Sequence, residues 1–154
     1  MTDFKQRVMN IDEGLERYLA AQENAYQEAL DEIKKGSKQS HWMWFVFPQI
    51  RGLGFTDYNV YYGLKDLQEA QQYLSHPILG KRLIEISQEV LNQKGKTALE
   101  IFRRPDERKL RSCMTIFSQI PKTDPVFQKV LEKYYGGSFD EKTISILAAQ
   151  KKGG

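Results

Sequence analysis

The sequence predicts a single all-α domain, and three observations carry that prediction. Apolar residues recur at three- and four-residue steps over most of the chain. Capping residues and prolines punctuate those stretches at short intervals. No convincing period-two segment appears. With 154 residues, 40% hydrophobic and 28% charged, the chain is long enough to bury a real core and unlike a disordered one.

The first stripe runs through Leu15, Tyr18, Leu19, Tyr26, Ala29, Leu30 and Ile33, and Gly36 suits a left-handed cap at its end. Ser37 to Ser40 form a polar bridge. The segment HWMWFVFPQIRGLG (41–54) is too short and too uniformly apolar to assign by period, and aromatics continue through Tyr58, Tyr61 and Tyr62. Asp66 with Glu69 resembles a capping box before Leu67, Ala70, Tyr73 and Leu74. Pro77 fits the first turn of a helix carrying Leu79, Leu83, Ile86 and Val90, with His76 in the helix-start turn.

Thr97 with Glu100 makes a second capping box for a brief ALEIF helix. Pro105-Asp106 introduces a helix with Leu110, Cys113, Met114 and Phe117 on one face. Asp124-Pro125 opens the next helix, through Val126, Phe127, Val130 and Leu131 to Gly136-Gly137. Asp140 caps a last helix with Ile144, Leu147 and Ala148, after which residues 150–154 are expected to be flexible. The expectation is about seven helices in one domain, ordered over about 12–149. Trp42 or Trp44 should share one centre with Phe45, Phe47, Leu110, Met114 and Phe117.

Composition restricts function only broadly. A net charge of +3 from 23 basic and 20 acidic residues is weak support for nucleic acid as a partner. One cysteine, Cys113, rules out an internal disulfide and disfavours a cysteine-rich metal site. With two histidines, a zinc site would need carboxylates, so no metal and no cofactor is implied. The charged N-terminus lacks a signal-peptide stretch and no apolar run approaches a membrane span, so the expected location is cytoplasmic. The motifs of phosphate loops, zinc proteases and serine hydrolases are missing.

Two segments carry chemistry. In residues 40–54, Trp44 could wall or stack on a ligand and Arg51, in its glycine loop, could grip a phosphate or carboxylate. The structural alternative makes the aromatics a core plug. His41 is a candidate general acid or base, or else a backbone cap. In residues 103–115, turning about 100° per residue places Arg108, Arg111, Ser112 and Thr115 on a polar side. Lys109 falls on the flank of the apolar face, either snorkelling or pointing into a pocket. Lys109 with Ser112 would make an anion-binding pair, and Asp106 is a second candidate for proton transfer.

Four stretches resemble a known family: SHWMWFVFPQIRGLG from Ser40, EAQQYLSHPILGKRL from Glu69, D-x-x-K-L-x-S-x-M-T-x-F from Asp106, and FQKVLEKYYGG from Phe127. The chain is similar, from about Leu15 to Leu147, to an uncharacterised bacterial domain-of-unknown-function family of mostly helical proteins that genomes sometimes label calpastatin. It departs from that pattern at Arg103, where glycine is usual, and at Cys113, where serine is usual. The label implies a protease inhibitor, which nothing in these residues supports. A more distant likeness, in general layout, is to small helical domains acting on ADP-ribose derivatives. The expected function is binding of an anionic small molecule such as a nucleotide or ADP-ribose derivative, with its hydrolysis a further option that leaves open whether the chain is an enzyme. The alternatives are a non-catalytic protein-interaction module and, third, a nucleic-acid binder using Arg103 to Arg111. In the leading reading, Arg51 and Lys109 converge on one cleft bordered by His41 or Asp106.

Overall fold

The computed structural model describes residues 14–153, and these form helices joined by short turns. Among them are α1 (Glu16–Gln22), α2 (Tyr26–Lys34), α3 (Met43–Val46), α4 (Asp57–Tyr62) and α5 (Leu67–Ser75). Then follow α6 (Leu79–Asn92), α7 (Ala98–Phe102), α8 (Asp106–Ser118), α9 (Val126–Tyr135) and α10 (Glu141–Gly153). Among the described residues the count is ten rather than seven, for two reasons. The first stripe is broken at residues 23–25, where Ala25 N bonds the carbonyl of Gln22, three residues back, and tightens the turn. The aromatic segment that has no readable period supplies the two short helices α3 and α4.

The capping residues act as their positions suggest. Thr97 and Glu100 bond reciprocally as a full capping box. Asp66 accepts from Glu69 N at 2.8 Å, but the Glu69 carboxylate turns to Lys65 N and to Arg17 instead. His76 Nδ1 accepts from Ile78 N and Leu79 N at the start of α6. Gly36 and Gly136 take positive φ, 77° and 62°, after α2 and α9. Gly80 is required inside α6, because a Cβ there would lie 1.9 Å from the Leu74 carbonyl oxygen. The final helix runs to Gly153, and Gln150 Nε2 ties it to the Lys65 carbonyl at 2.7 Å.

The centre of the fold is α8, packed against α5, α7, α9 and α10. Its Leu110, Cys113, Met114 and Phe117 are fully buried in one cluster with Trp42, Phe47, Tyr73 and Phe127. Trp44 and Phe45 pack against that cluster half-buried. Ser112 and Thr115 are buried as well, a correction to the polar side assigned to them. The cause is α10, which covers that side of α8.

The core also holds a polar knot that the hydrophobic pattern does not reveal. Arg17, 1% exposed, bonds Glu69 Oε1 at 2.9 Å and the carbonyls of Tyr61 (2.7 Å) and Gly63 (3.1 Å). Tyr18 Oη donates to the Tyr62 carbonyl at 2.7 Å. Unpaired carbonyls are inevitable at a helix C-terminus, and here side chains satisfy those that end α4. Burial works against the Glu69 carboxylate, but Arg17 and the Lys65 N–H hold it below the usual carboxylate range. Among the described residues, no helix is long and apolar enough to cross a membrane.

Candidate functional site

The chain enters α8 through Arg103, at φ 63°, and a cis Arg104–Pro105 bond. Asp106, Lys109 and Ser112 then follow at three-residue spacing along one flank of the helix. Opposite them stands the Ser37–Ser40 bridge, fixed by Lys38 N bonding the Ile101 carbonyl at 2.8 Å. That bond turns Lys38 inward, to 8% exposure.

Two lysines consequently share one carboxylate. Asp106 Oδ2 lies 2.9 Å from Lys38 Nζ, and Asp106 Oδ1 lies 3.6 Å from Lys109 Nζ. Each ammonium also sits over an indole: Lys38 is 4.9 Å from the Trp42 ring centroid and Lys109 is 3.8 Å from that of Trp44. Lys38 Nζ also donates to the Ser40 carbonyl. Trp42 Nε1 in turn donates to Glu32 Oε1 at 2.9 Å, anchoring the first indole. Partial burial lowers the Lys109 ammonium below the usual lysine value; Asp106 pulls the other way, and Lys38 adds to the lowering.

Lys109 and Ser112 open onto a cleft of about 340 Å³. Arg108 lines it from the same helix and Pro105 from just before it, Gln49, Leu53 and Asn59 from the opposite wall, and Asp140 with Lys142 from the start of α10. Its lining therefore carries three cations and one carboxylate. That carboxylate is already engaged, accepting from Thr143 N at 3.0 Å as the cap of α10. A smaller cavity, about the size of one water, adjoins it behind Gln49, Leu53 and Asn59. Trp44 lines that space, and its Nε1 is buried without a hydrogen-bond partner among the described residues.

The structure brings together Trp44, Asp106, Lys109 and Ser112 but not the other expected residues. Arg51 lines neither cavity. Its Nε donates to the Val60 carbonyl at 3.1 Å and its Nη2 to that of Gly63 at 3.2 Å, so the guanidinium closes the end of α4. The expected convergence of Arg51 and Lys109 is corrected accordingly. His41 is exposed and lines neither cavity. Thr115 is fully buried; its Oγ1 donates to the Arg111 carbonyl and accepts from Asp140 N at 2.9 Å, docking α10 on α8. Ser112 Oγ bonds the Arg108 carbonyl at 3.1 Å. Trp44 offers no free stacking wall: Lys109 sits over its ring and Tyr58 stacks on it, with centroids 5.0 Å apart. It is a support for Lys109.

Lys38 is the residue that sequence reasoning misses. It stands in a short polar bridge with no period and no motif, and only the inward turn of that bridge reveals it.

A family model described as "Protein of unknown function (DUF1810)" matches residues 12–147. Among solved structures, the chain is similar to the conserved hypothetical protein Rv1873 from Mycobacterium tuberculosis, at 45% identity and a TM-score of 0.86. That match covers 87% of this chain and 96% of the other. No curated protein matches.

Proposed function

We propose that this chain, which belongs to the DUF1810 family of proteins of unknown function, binds an anionic small molecule in the cleft of Lys109. The class is a phosphorylated metabolite such as a nucleotide or ADP-ribose derivative. One observation carries the reading: two partly buried ammonium groups share a single carboxylate, and one of them faces a cleft holding two more cations. Positive charge gathered in a partly desolvated site is unfavourable alone and is relieved by a bound anion. Gln49, Asn59 and Ser112 add neutral polar groups to the same walls. Binding is the part that the cleft supports. His41 stands outside it, and Asp106 is the counter-ion of two ammonium groups rather than a free base.

Thermal shift tests the reading. Nucleotides, ADP-ribose derivatives and inorganic phosphate are titrated against the protein, and binding to the folded state raises its melting temperature. A ligand at a hundred times its Kd adds about 2.7 kcal/mol of apparent stability. Lys109→Met is expected to abolish the ligand-induced rise. Arg51→Ala is expected to lower the melting temperature while leaving the rise intact. No rise with any of these anions, or an undiminished rise in Lys109→Met, would overturn the reading.

A further inference from the structure

We propose that Lys109 captures a carbonyl group: its Nζ condenses with an aldehyde or ketone on the phosphorylated small molecule that the cleft takes, forming an imine. This deepens the anion-binding reading and rests on it. The geometry separates the roles of the two lysines. Lys38 holds the shorter contact to Asp106, 2.9 Å against 3.6 Å, is tied also to the Ser40 carbonyl, and does not line the cleft. Lys109 is the less well paired of the two and is the one presented to a ligand. An amine beside a second cation and partly withdrawn from water loses its proton more readily than an exposed one, which is how lysine becomes a nucleophile. Trp44 opposes this by favouring the ammonium, yet it also fixes where the nitrogen sits.

The charged groups around Lys109 come from three elements. Asp106, Arg108 and the Glu107 that pairs with Arg108 at 3.7 Å share its helix, Lys38 faces it from the bridge before α3, and Asp140 with Lys142 face it from the start of α10. The α3–α4 side presents only Trp44, Gln49, Leu53 and Asn59. Burial is the main cause of the lowered position of the Lys109 ammonium; Asp106 opposes it and Lys38 adds to it.

The reaction needs no outside oxidant or reductant. The lone pair of neutral Nζ forms a C–N bond to the carbonyl carbon as the C=O π bond breaks. A proton passes from nitrogen to the new oxygen, giving a carbinolamine. The C–O bond then breaks, the second nitrogen proton leaves with the oxygen as water, and C=N forms. Amine and carbonyl give imine and water. Arg108 and Lys142 supply charge for the phosphate of the same molecule.

Glyceraldehyde 3-phosphate with sodium borohydride is the probe, read by peptide mass mapping of the full-length protein. The expected adduct is on Lys109, favoured over exposed lysines at pH 7 by roughly tenfold for each unit by which its pKa is lower. Excess inorganic phosphate should slow it, and Lys109→Arg should remove it. Lys38→Met should slow trapping at pH 7, by a factor that shrinks as pH rises through the ordinary lysine value of about 10.4. The wild-type rate against pH gives the same information without a variant, with its midpoint below that of exposed lysines. Labelling spread evenly over surface lysines, or a wild-type midpoint at the ordinary lysine value, overturns the proposal. Inorganic phosphate is run in parallel as a thermal-shift ligand. If it still stabilises the protein while Lys109 stays unlabelled, carbonyl capture fails and anion binding stands.

Discussion

Arg103→Gly should stabilise this protein. Arg103 closes α7 and leads into α8 with φ 63° and ψ 172°, a combination that side chains with a Cβ rarely adopt. Its N–H bonds the Leu99 carbonyl at 2.8 Å and its carbonyl accepts from Glu107 N at 3.0 Å, so the backbone is held there from both sides. The side chain is exposed. A non-glycine residue in such a region costs about 1–3 kcal/mol. Glycine removes that penalty but loses about 0.5–1 kcal/mol more chain entropy on folding. The difference is a gain of about 1 kcal/mol, which for a domain near this size raises the melting temperature by about 2–4 °C. Urea unfolding and thermal melts of wild type, Arg103→Gly and Arg103→Ala measure it. Alanine keeps the Cβ and should stay within about 0.5 kcal/mol of wild type. A glycine variant no more stable than the alanine variant would refute the strain argument.

Two further outcomes follow from the packing and the buried charges. Phe117, fully buried between Tyr73 and Phe127 with ring centroids 5.6 Å away on each side, should cost about 3–5 kcal/mol when truncated to Ala, measured by urea unfolding. A loss under about 1 kcal/mol would mean that the site collapses onto the gap. Burial opposes ionisation of Glu32 and Glu69, yet Ser40, Gln39 and Trp42 around the first and Arg17 beside the second hold both carboxyls below their usual range. Their contribution is therefore complete above the unfolded value of about 4.3 and is lost as pH falls through the folded values. Urea midpoints should drop on acidification below that point, and Glu69→Gln should flatten the drop; an unchanged slope would assign it to other groups.

The fold was legible because its determinants are local. Caps at Asp66, Thr97, Asp124 and Asp140, and the stripes of α5, α6, α8 and α9, can be read within one helix at a time. Even the core could be read from α8, since Leu110, Cys113, Met114 and Phe117 must share a face. The helix count failed where local signals are weakest. The tightened turn at residues 23–25 leaves the apolar phase intact, and α3 and α4 are too short to show a period.

The site was legible in half. Lys109 betrayed itself because a cation on the flank of an apolar helix face needs a reason, and that reason is a cleft with Trp44 behind it. Its partner Lys38 lies 71 positions away in a segment whose inward turn depends on a bond to the Ile101 carbonyl, a tertiary fact with no sequence signature. Arg51 shows the opposite error. A lone arginine among glycines and aromatics reads as a ligand grip, but a helix ending in the interior leaves carbonyls that something must satisfy. Arg51, Arg17 and Tyr18 divide that task between them at Val60, Tyr61, Tyr62 and Gly63. A cation whose donors are taken up by carbonyls holds the fold together. A cation that shares its carboxylate with a second cation and faces a cleft is left with charge to offer, and that distinction separates Arg51 from Lys109.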